Sequence, residues 1–392
     1  MVSAMKRSAI LLAILVSLLW PRTAPAQEGA EDRLKALEEQ IEKQQEELDA
    51  LRKKVEELDA APVLRQPFSF QVFSDITAVV DNRDRSENTF VLGEVDLYAQ
   101  ADLGDGLSAL VETVFEADDE NNEWDVDLER IQASYASSDL LSLTVGKFHI
   151  PIGFWNDEFH HGGYLQPSVS RPTMLRFEDQ EGILPVHGVG LALSGKLPTP
   201  GKLHYDLFVV NGRGRWTDDV LNTDDNNGAK GVGGKVEFRG LPCSRVGVSL
   251  YRDTVDAEPA DGADVEFYET IYACHIVCER KGFRAILEGF LMDHDGRDLD
   301  RGQETRGGYI LVSYEIDAIT PYVMVERVDF PGDDPYFAGR SDVGEGRVGV
   351  RWDFHPNAAV KLEYNHTELR DDETTGTDDR YGTVLMNISF FF

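Results

Sequence analysis

The sequence predicts an all-β protein, a transmembrane antiparallel β-barrel of about 16 strands preceded by an N-terminal α-helical coiled coil. Three observations predict it. Apolar and polar residues alternate over segments of ten or more residues from position 68 to the end, the connections between these segments are alternately short and long, and a heptad seam stands ahead of them. A tilted strand needs roughly 9 to 11 residues to cross a bilayer, whereas strands in globular sheets average about five or six.

Composition narrows the partners. The chain has 392 residues, 42% of them apolar, with 71 Asp plus Glu against 38 Lys plus Arg and a formal charge of -33. Nucleic acid is excluded as a partner, because counterion release needs a basic face and no Lys/Arg-rich block is present. The longest apolar run, Ser8 to Trp20, is shorter than the roughly 20 residues a spanning helix requires. It fits a signal peptide over 1–26: Lys6 and Arg7 form the positive start, and Ala24-Pro25-Ala26 offers a cleavage site. The predicted location is therefore the outer membrane of a Gram-negative cell.

Residues 27–61 read as a periplasmic coiled coil. Leu34, Leu37, Ile41, Leu48, Leu51, Val55 and Leu58 follow the 3,4 spacing, and Gln44 fills the remaining core slot as a register-setting polar residue. The flanking pairs Arg33/Glu38, Glu47/Arg52 and Lys54/Asp59 have the complementarity of parallel chains. The expectation is a homo-oligomer, a trimer with a dimer as the alternative; a single solvated helix is the bland reading. Ala60-Ala61-Pro62 and Pro67 end the helix, which makes 62–67 a linker.

From residue 68 the period is 2. Val91, Gly93, Val95, Leu97, Ala99, Ala101 and Leu103 share one face, opposite Glu94, Asp96, Tyr98, Gln100 and Asp102. The pattern predicts strands near 68–80, 89–103, 106–117, 124–136, 140–149, 186–196, 202–211, 230–239, 243–253, 264–278, 282–292, 306–316, 319–329, 346–355, 357–368 and 380–392. Short connections such as Gly104-Asp105 and Asp317-Ala318 alternate with long ones rich in Asp, Asn and Gly. Short periplasmic turns and long outer loops are the habit of even-stranded barrels; counts of 14 or 18 are the alternatives. A phase change predicts a bulge near Glu129 or Arg130. Trp124, Tyr205, Tyr251, Tyr322, Trp352 and Tyr381 sit near strand ends, where interfacial girdles want them, with a lumen or core position as the alternative for each.

The third long connection, about 149–185, is the longest irregular stretch, and such loops are usually functional. Gly146-Lys147-Phe148, Pro151, Gly153, the Arg171-Pro172 pair and Gly188-Val189-Gly190 resemble the layout of the phosphate-selective porin O and P family. An N-terminal coiled coil before the barrel also resembles the DcaP-like trimeric porins. The resemblance implies a trimer of 16-stranded channels with this loop folded into each lumen as a constriction. Phosphate specificity does not follow from the residues, since an anion site needs converging Lys and Arg. The loop carries Asp157, Glu158, Glu178, Asp179 and Glu181 against Arg171 and Arg176. Acid-rich constrictions favour cations, so the expectation is a cation-leaning or weakly selective pore, with the two arginines as the basic side of a transverse field.

Other chemistry is weaker. His160-His161 beside Asp157 and Glu158, with His149 and His187 at the loop's ends, matches no defined metal spacing, so pore lining is expected rather than metal binding. Asp293, Asp295, Asp298 and Asp300 depart from the EF-hand pattern; outer acids bridged to lipopolysaccharide by divalent ions are the simpler use. No cofactor is expected. Cys243 can pair across a hairpin with Cys274 or Cys278, but those two, four residues apart on one strand and so roughly 13 Å from each other, cannot pair together. The rival classes are a barrel hydrolase, for which no Gly-x-Ser-x-Gly is present and Ser168 and Ser170 are the nearest candidates, and a tether to the cell wall. Terminal Phe392 resembles the signal read by the barrel-assembly machinery.

Overall fold

The computed structural model describes residues 43, 45, 68–83, 88–118, 123–159, 162–178, 182–242, 244–259, 264–296, 298–370 and 378–392. Two compact units divide the chain, Met1–Gln66 and Pro67–Phe392. In the first, Lys43 and Gln45 are helical and exposed; the signal peptide, the seam residues Leu34 to Leu58 and the linker lie outside the described residues.

The second unit is a closed barrel in which each strand pairs antiparallel with its sequence neighbours and the first pairs with the last. In order the strands are β1 (Phe68–Asp81), β2 (Thr89–Gly104), β3 (Leu107–Asp118), β4 (Glu123–Ser138), β5 (Leu141–His149), β6 (His187–Lys196), β7 (Leu203–Val210) and β8 (Gly231–Leu241). They continue as β9 (Ser244–Ala257), β10 (Val265–Arg280), β11 (Phe283–Asp295), β12 (Gln303–Tyr314), β13 (Ile319–Asp329), β14 (Asp342–His355), β15 (Ala358–Arg370) and β16 (Asp378–Phe391). All 16 predicted strands are present. β12 and β14 start earlier than their alternation suggested, because polar Gln303 and Thr305 face inward and Gly344 and Gly346 hide the outward phase.

Closure removes every sheet edge. Phe392 completes the seam: its N–H donates to the Val72 carbonyl at 3.0 Å, and the Val72 N–H donates back at 2.9 Å. One end has tight turns, where Asp105 (φ 51) and Gly106 (φ 80) or Lys281 (φ 48) and Gly282 (φ 81) supply the left-handed pairs that two-residue hairpins need. The bulge falls in β4, where Arg130 faces Glu112 but Asp127 faces Val114, leaving Leu128 and Glu129 as the extra stretch.

Polarity is inverted relative to a water-soluble fold. Outward positions are apolar and exposed, among them Val325 (64%), Val248 (59%) and Ile310 (50%), while Lys361, Glu363 and Glu326 are buried inward. No helix of the described residues is long and apolar enough to cross a membrane, which says nothing of strands. Trp124 and Trp352 sit outward near strand ends. Tyr251 and Tyr322 do not: both are buried on the inner face, their hydroxyls donating to Asp253 and Glu363, because their strand phase is the lumen phase. The β9–β10 register sets Cys278 opposite Ser244 and Cys274 opposite Val248. Cys274 and Cys278 are free among the described residues, and Cys243 lies outside them.

A charge on the outer face at mid-barrel should therefore be costly. Leu362→Arg is expected to lower refolding stability in lipid by about 2–4 kcal/mol, while Asn365→Ser on the inner face of the same strand changes it little; urea titration of tryptophan fluorescence checks both.

Candidate functional site

The segment 150–186 leaves β5 and returns to β6 through the barrel interior. Its neck is closed by the Ile150 N–H donating to the Val186 carbonyl at 2.8 Å. Gly153 (φ 78) is required where the chain turns, since a Cβ there would strike Glu288 Oε1. Two short helices follow, α1 (Trp155–Glu158) and α2 (Gly162–Leu165), then a 3-10 turn over Thr173–Leu175.

A loop in a lumen has no strand neighbours, so its backbone groups need other partners. Inward charged side chains provide them. Glu288 accepts from the N–H groups of Phe154 (2.5 Å) and Trp155 (3.3 Å), Glu363 from Val169 and Ser170, and Glu326 from Thr173 at 2.7 Å. Lys361 donates to the carbonyls of Gly163 and Ser168, Arg347 to those of Ser170 and Arg171, and Arg351 to those of Tyr164 and Gln166. The loop also buries Ile150, Ile152, Phe154, Trp155, Met174 and Leu175 against inward apolar residues of β7 to β13, including Ile271, Ile286 and Tyr309. It is thus an apolar wedge with a hydrogen-bonded rim, anchored to the wall from β7 round to β15. Tip residues also meet β1, where a Cβ on Gly163 would lie 3.5 Å from Asp75 Cγ.

The predicted site residues take several roles. Asp157 pairs with Lys235, and Glu158 with Arg245 at 3.1 Å. Arg171 is buried, donating to the Leu175 carbonyl (2.6 Å) and Asn156 Oδ1 (2.8 Å) and stacking on Phe177 at 4.1 Å, so it ties the loop's two limbs together. Burial lowers its pKa to about 10, and it stays charged at neutral pH. Arg176 is half-buried and lines a cavity of about 620 Å³ together with Asp75, Glu94, Glu116 and Asp125. Glu178 accepts from the N–H groups of Val186 and His187 and from the His187 ring, whose other nitrogen lies 2.6 Å from Glu129. Of the motif residues, Gly146 (φ 126) abuts the Ile131 carbonyl. Lys147 is buried 3.6 Å from Asp127, Phe148 and Pro151 are buried, and the Pro172 carbonyl caps the 3-10 turn. His160, His161, Asp179 and Glu181 lie outside the described residues.

Among the described residues no group of three His, Cys, Asp or Glu has metal-site spacing. Ser168 is buried with its hydroxyl donating to the Ser170 carbonyl at 2.8 Å. The sequence reading missed Glu288, Glu326, Arg347, Arg351, Lys361 and Glu363. Their only signal was charge at inward strand phase, and nothing local says that they bind backbone.

This architecture is that of closed 16-stranded antiparallel barrels with a long loop folded into the lumen. The OmpTΔL8 loop-deletion mutant of a Vibrio cholerae outer membrane protein superposes with a TM-score of 0.59 at 12% identity, covering 83% of this chain and 99% of that one. An anion-selective porin from Comamonas acidovorans gives 0.58 at 12%, covering 83% and 99%. The outer membrane channel DcaP of Acinetobacter baumannii gives 0.58 at 9%, covering 83% and 97%. At these identities the likeness shows the fold. No protein-family profile and no curated protein sequence matches the chain.

Two outcomes follow. Lys361→Met removes the donor to the Gly163 and Ser168 carbonyls, so limited proteolysis of the folded protein should cut within 150–186 faster than in the parent, and barrel melting should fall. Burial would raise the Glu178 carboxyl, but the charge and hydrogen bonds of His187 hold it at about 2. A pKa below the roughly 4.3 of an unfolded Glu stabilises fully above that value and is lost as pH falls toward 2. Pepsin cleavage within 150–186 should therefore rise between about pH 4 and pH 2 in the native protein, and Glu178→Gln should already be cut at pH 4.

Proposed function

We propose that this protein is an outer-membrane porin, a water-filled channel for passive diffusion of small hydrophilic solutes or ions, constricted by the loop 150–186. The observation that carries the reading is the pairing of inverted barrel polarity with cavities on both sides of a pinned loop. Toward the long-loop end, acids and Arg176 line about 620 Å³; toward the short turns, Tyr164, Leu165 and Pro167 of the same loop line about 530 Å³. Sixteen strands enclose a lumen wide enough for water. The mechanism is filtering by width and field, with no chemical step.

Selectivity is cation-leaning. Asp157, Glu158 and Glu178 pair with Lys235, Arg245 and His187, and the cavity that Arg176 lines carries four carboxylates, Asp75, Glu94, Glu116 and Asp125, against two arginines, a net negative field. The acidic lumen runs opposite to what an anion filter needs. The proposed setting is outer-membrane lipid and lipopolysaccharide, with Phe392 as the end read by assembly machinery and three copies joined through the seam Leu34 to Leu58. A trimer form is described for the Vibrio cholerae neighbour.

Planar-bilayer recording tests this. Stepwise conductance with a potassium-over-chloride permeability ratio above one is expected, and an anion-selective reversal potential would overturn the selectivity. A hydrolase barrel with a filled lumen would be electrically silent.

A further inference from the structure

The cavities on the two sides of the loop differ in charge. At the long-loop end, the two cavities against β1 to β6 are lined by nine carboxylates, two arginines and one histidine among the described residues. At the short-turn end, the two cavities are lined by seven carboxylates against seven Lys or Arg, with one histidine. The acidic end holds like charges brought together by the fold: Asp75 and Glu94 from the wall, Asp127 and Glu129 from the bulged β4, and Asp218 and Asp219 from the 211–230 loop, with Lys147 3.6 Å from Asp127 and His187 2.6 Å from Glu129 too few to balance them. The balanced end is stitched by close pairs, Lys235 with Asp157, Arg245 with Glu158 and Arg351 with Asp353. The loop tip separates the two, with Gln166 and Ser170 on one side and Tyr164 and Pro167 on the other.

From this contrast we infer that the channel rectifies: it carries cation current more readily from the outside toward the periplasm than in reverse. The inference rests on the porin reading and adds a direction to it. In the acidic vestibule cations carry nearly all the current, because fixed carboxylates in a narrow low-dielectric space exclude anions. In the balanced vestibule cations and anions share it. When cations are driven from the acidic to the balanced side, more arrive at the junction than leave, and anions enter from the periplasmic side to match them. Salt accumulates at the constriction and conductance rises. With the voltage reversed, cations leave the junction faster than the balanced side supplies them, salt is depleted there, and conductance falls. No part moves, so the asymmetry is present as fast as ions redistribute. It fades where the Debye length becomes short beside the vestibule, from about 30 Å at 0.01 M to about 3 Å at 1 M salt.

The test is a current–voltage curve of the full-length protein in symmetric potassium chloride, with a biotin on the 296–302 loop so that streptavidin added to one chamber reports orientation. At 0.01 M salt the inward cation current should exceed the outward by about twofold or more, with the ratio near one at 1 M. Asp218→Asn with Asp219→Asn, at the mouth and away from the loop's anchoring bonds, should lower the ratio while channels still open. A straight curve at 0.01 M from conducting channels, or a ratio that persists at 1 M, would overturn the inference and leave the porin reading standing. Absence of any conductance would sink the porin reading itself.

Discussion

The arrangement depends on one requirement: the backbone of a segment placed inside a barrel must find hydrogen-bond partners that no strand can offer. Here Glu288, Glu326 and Glu363 accept from its N–H groups, and Lys361, Arg347 and Arg351 donate to its carbonyls. Buried charges are costly unless each is paired and hydrogen-bonded. The wall charges and the loop backbone therefore need each other, and neither is satisfied if the loop leaves. The apolar face of the loop then closes over Ile271, Ile286 and Tyr309, which would otherwise line an aqueous lumen.

That requirement divides the acidic residues into two groups. Asp157, Glu158 and Glu178 sit on the loop, where a reader of the sequence expects an eyelet, yet each is held by a cation or a histidine and serves to fix the loop's course. The field of the proposed channel falls to carboxylates of the barrel wall, where Glu94, Glu116 and Asp125 share a cavity with Arg176. Arg171, the other expected basic element, is turned inward to bind Asn156 and Leu175. Its work is to hold two limbs together.

Much of the architecture was readable because a barrel wall is a local pattern. Alternation at Val95 to Leu103 and Val384 to Phe392 states strand, face and length at once, and the spacing of turns states the order of pairing; Val91 and Gly93 do not share the outward face expected of them, because a bulge at Gly93-Glu94 reverses the phase and turns Phe90 and Leu92 outward instead. The strand starts at Gln303 and Asp342 were obscured where glycine or inward polar residues broke the contrast. The loop's importance was legible from its length alone. Its partners were not, since Thr173 and Glu326, or Val169 and Glu363, are joined only once the barrel has closed. Tyr251 and Tyr322 stayed open between girdle and lumen for a related reason: an aromatic near a strand end fits either equally well until its phase is set by its neighbours, and both proved to be on the inner face. The heptad seam and His160-His161 fall outside the described residues.

The most direct test of the pinned loop is a cross-link from its tip to the wall. In a variant whose native cysteines are replaced by serine, Gly163→Cys and Asp75→Cys bring two thiols together where a Cβ on Gly163 would lie 3.5 Å from the Asp75 carboxyl carbon. Mild oxidation of the folded protein should form the disulfide, read as a two-hydrogen mass loss by intact mass spectrometry. Thiols that stay free in the folded barrel would show that the tip does not rest on β1, contradicting the account of the constriction.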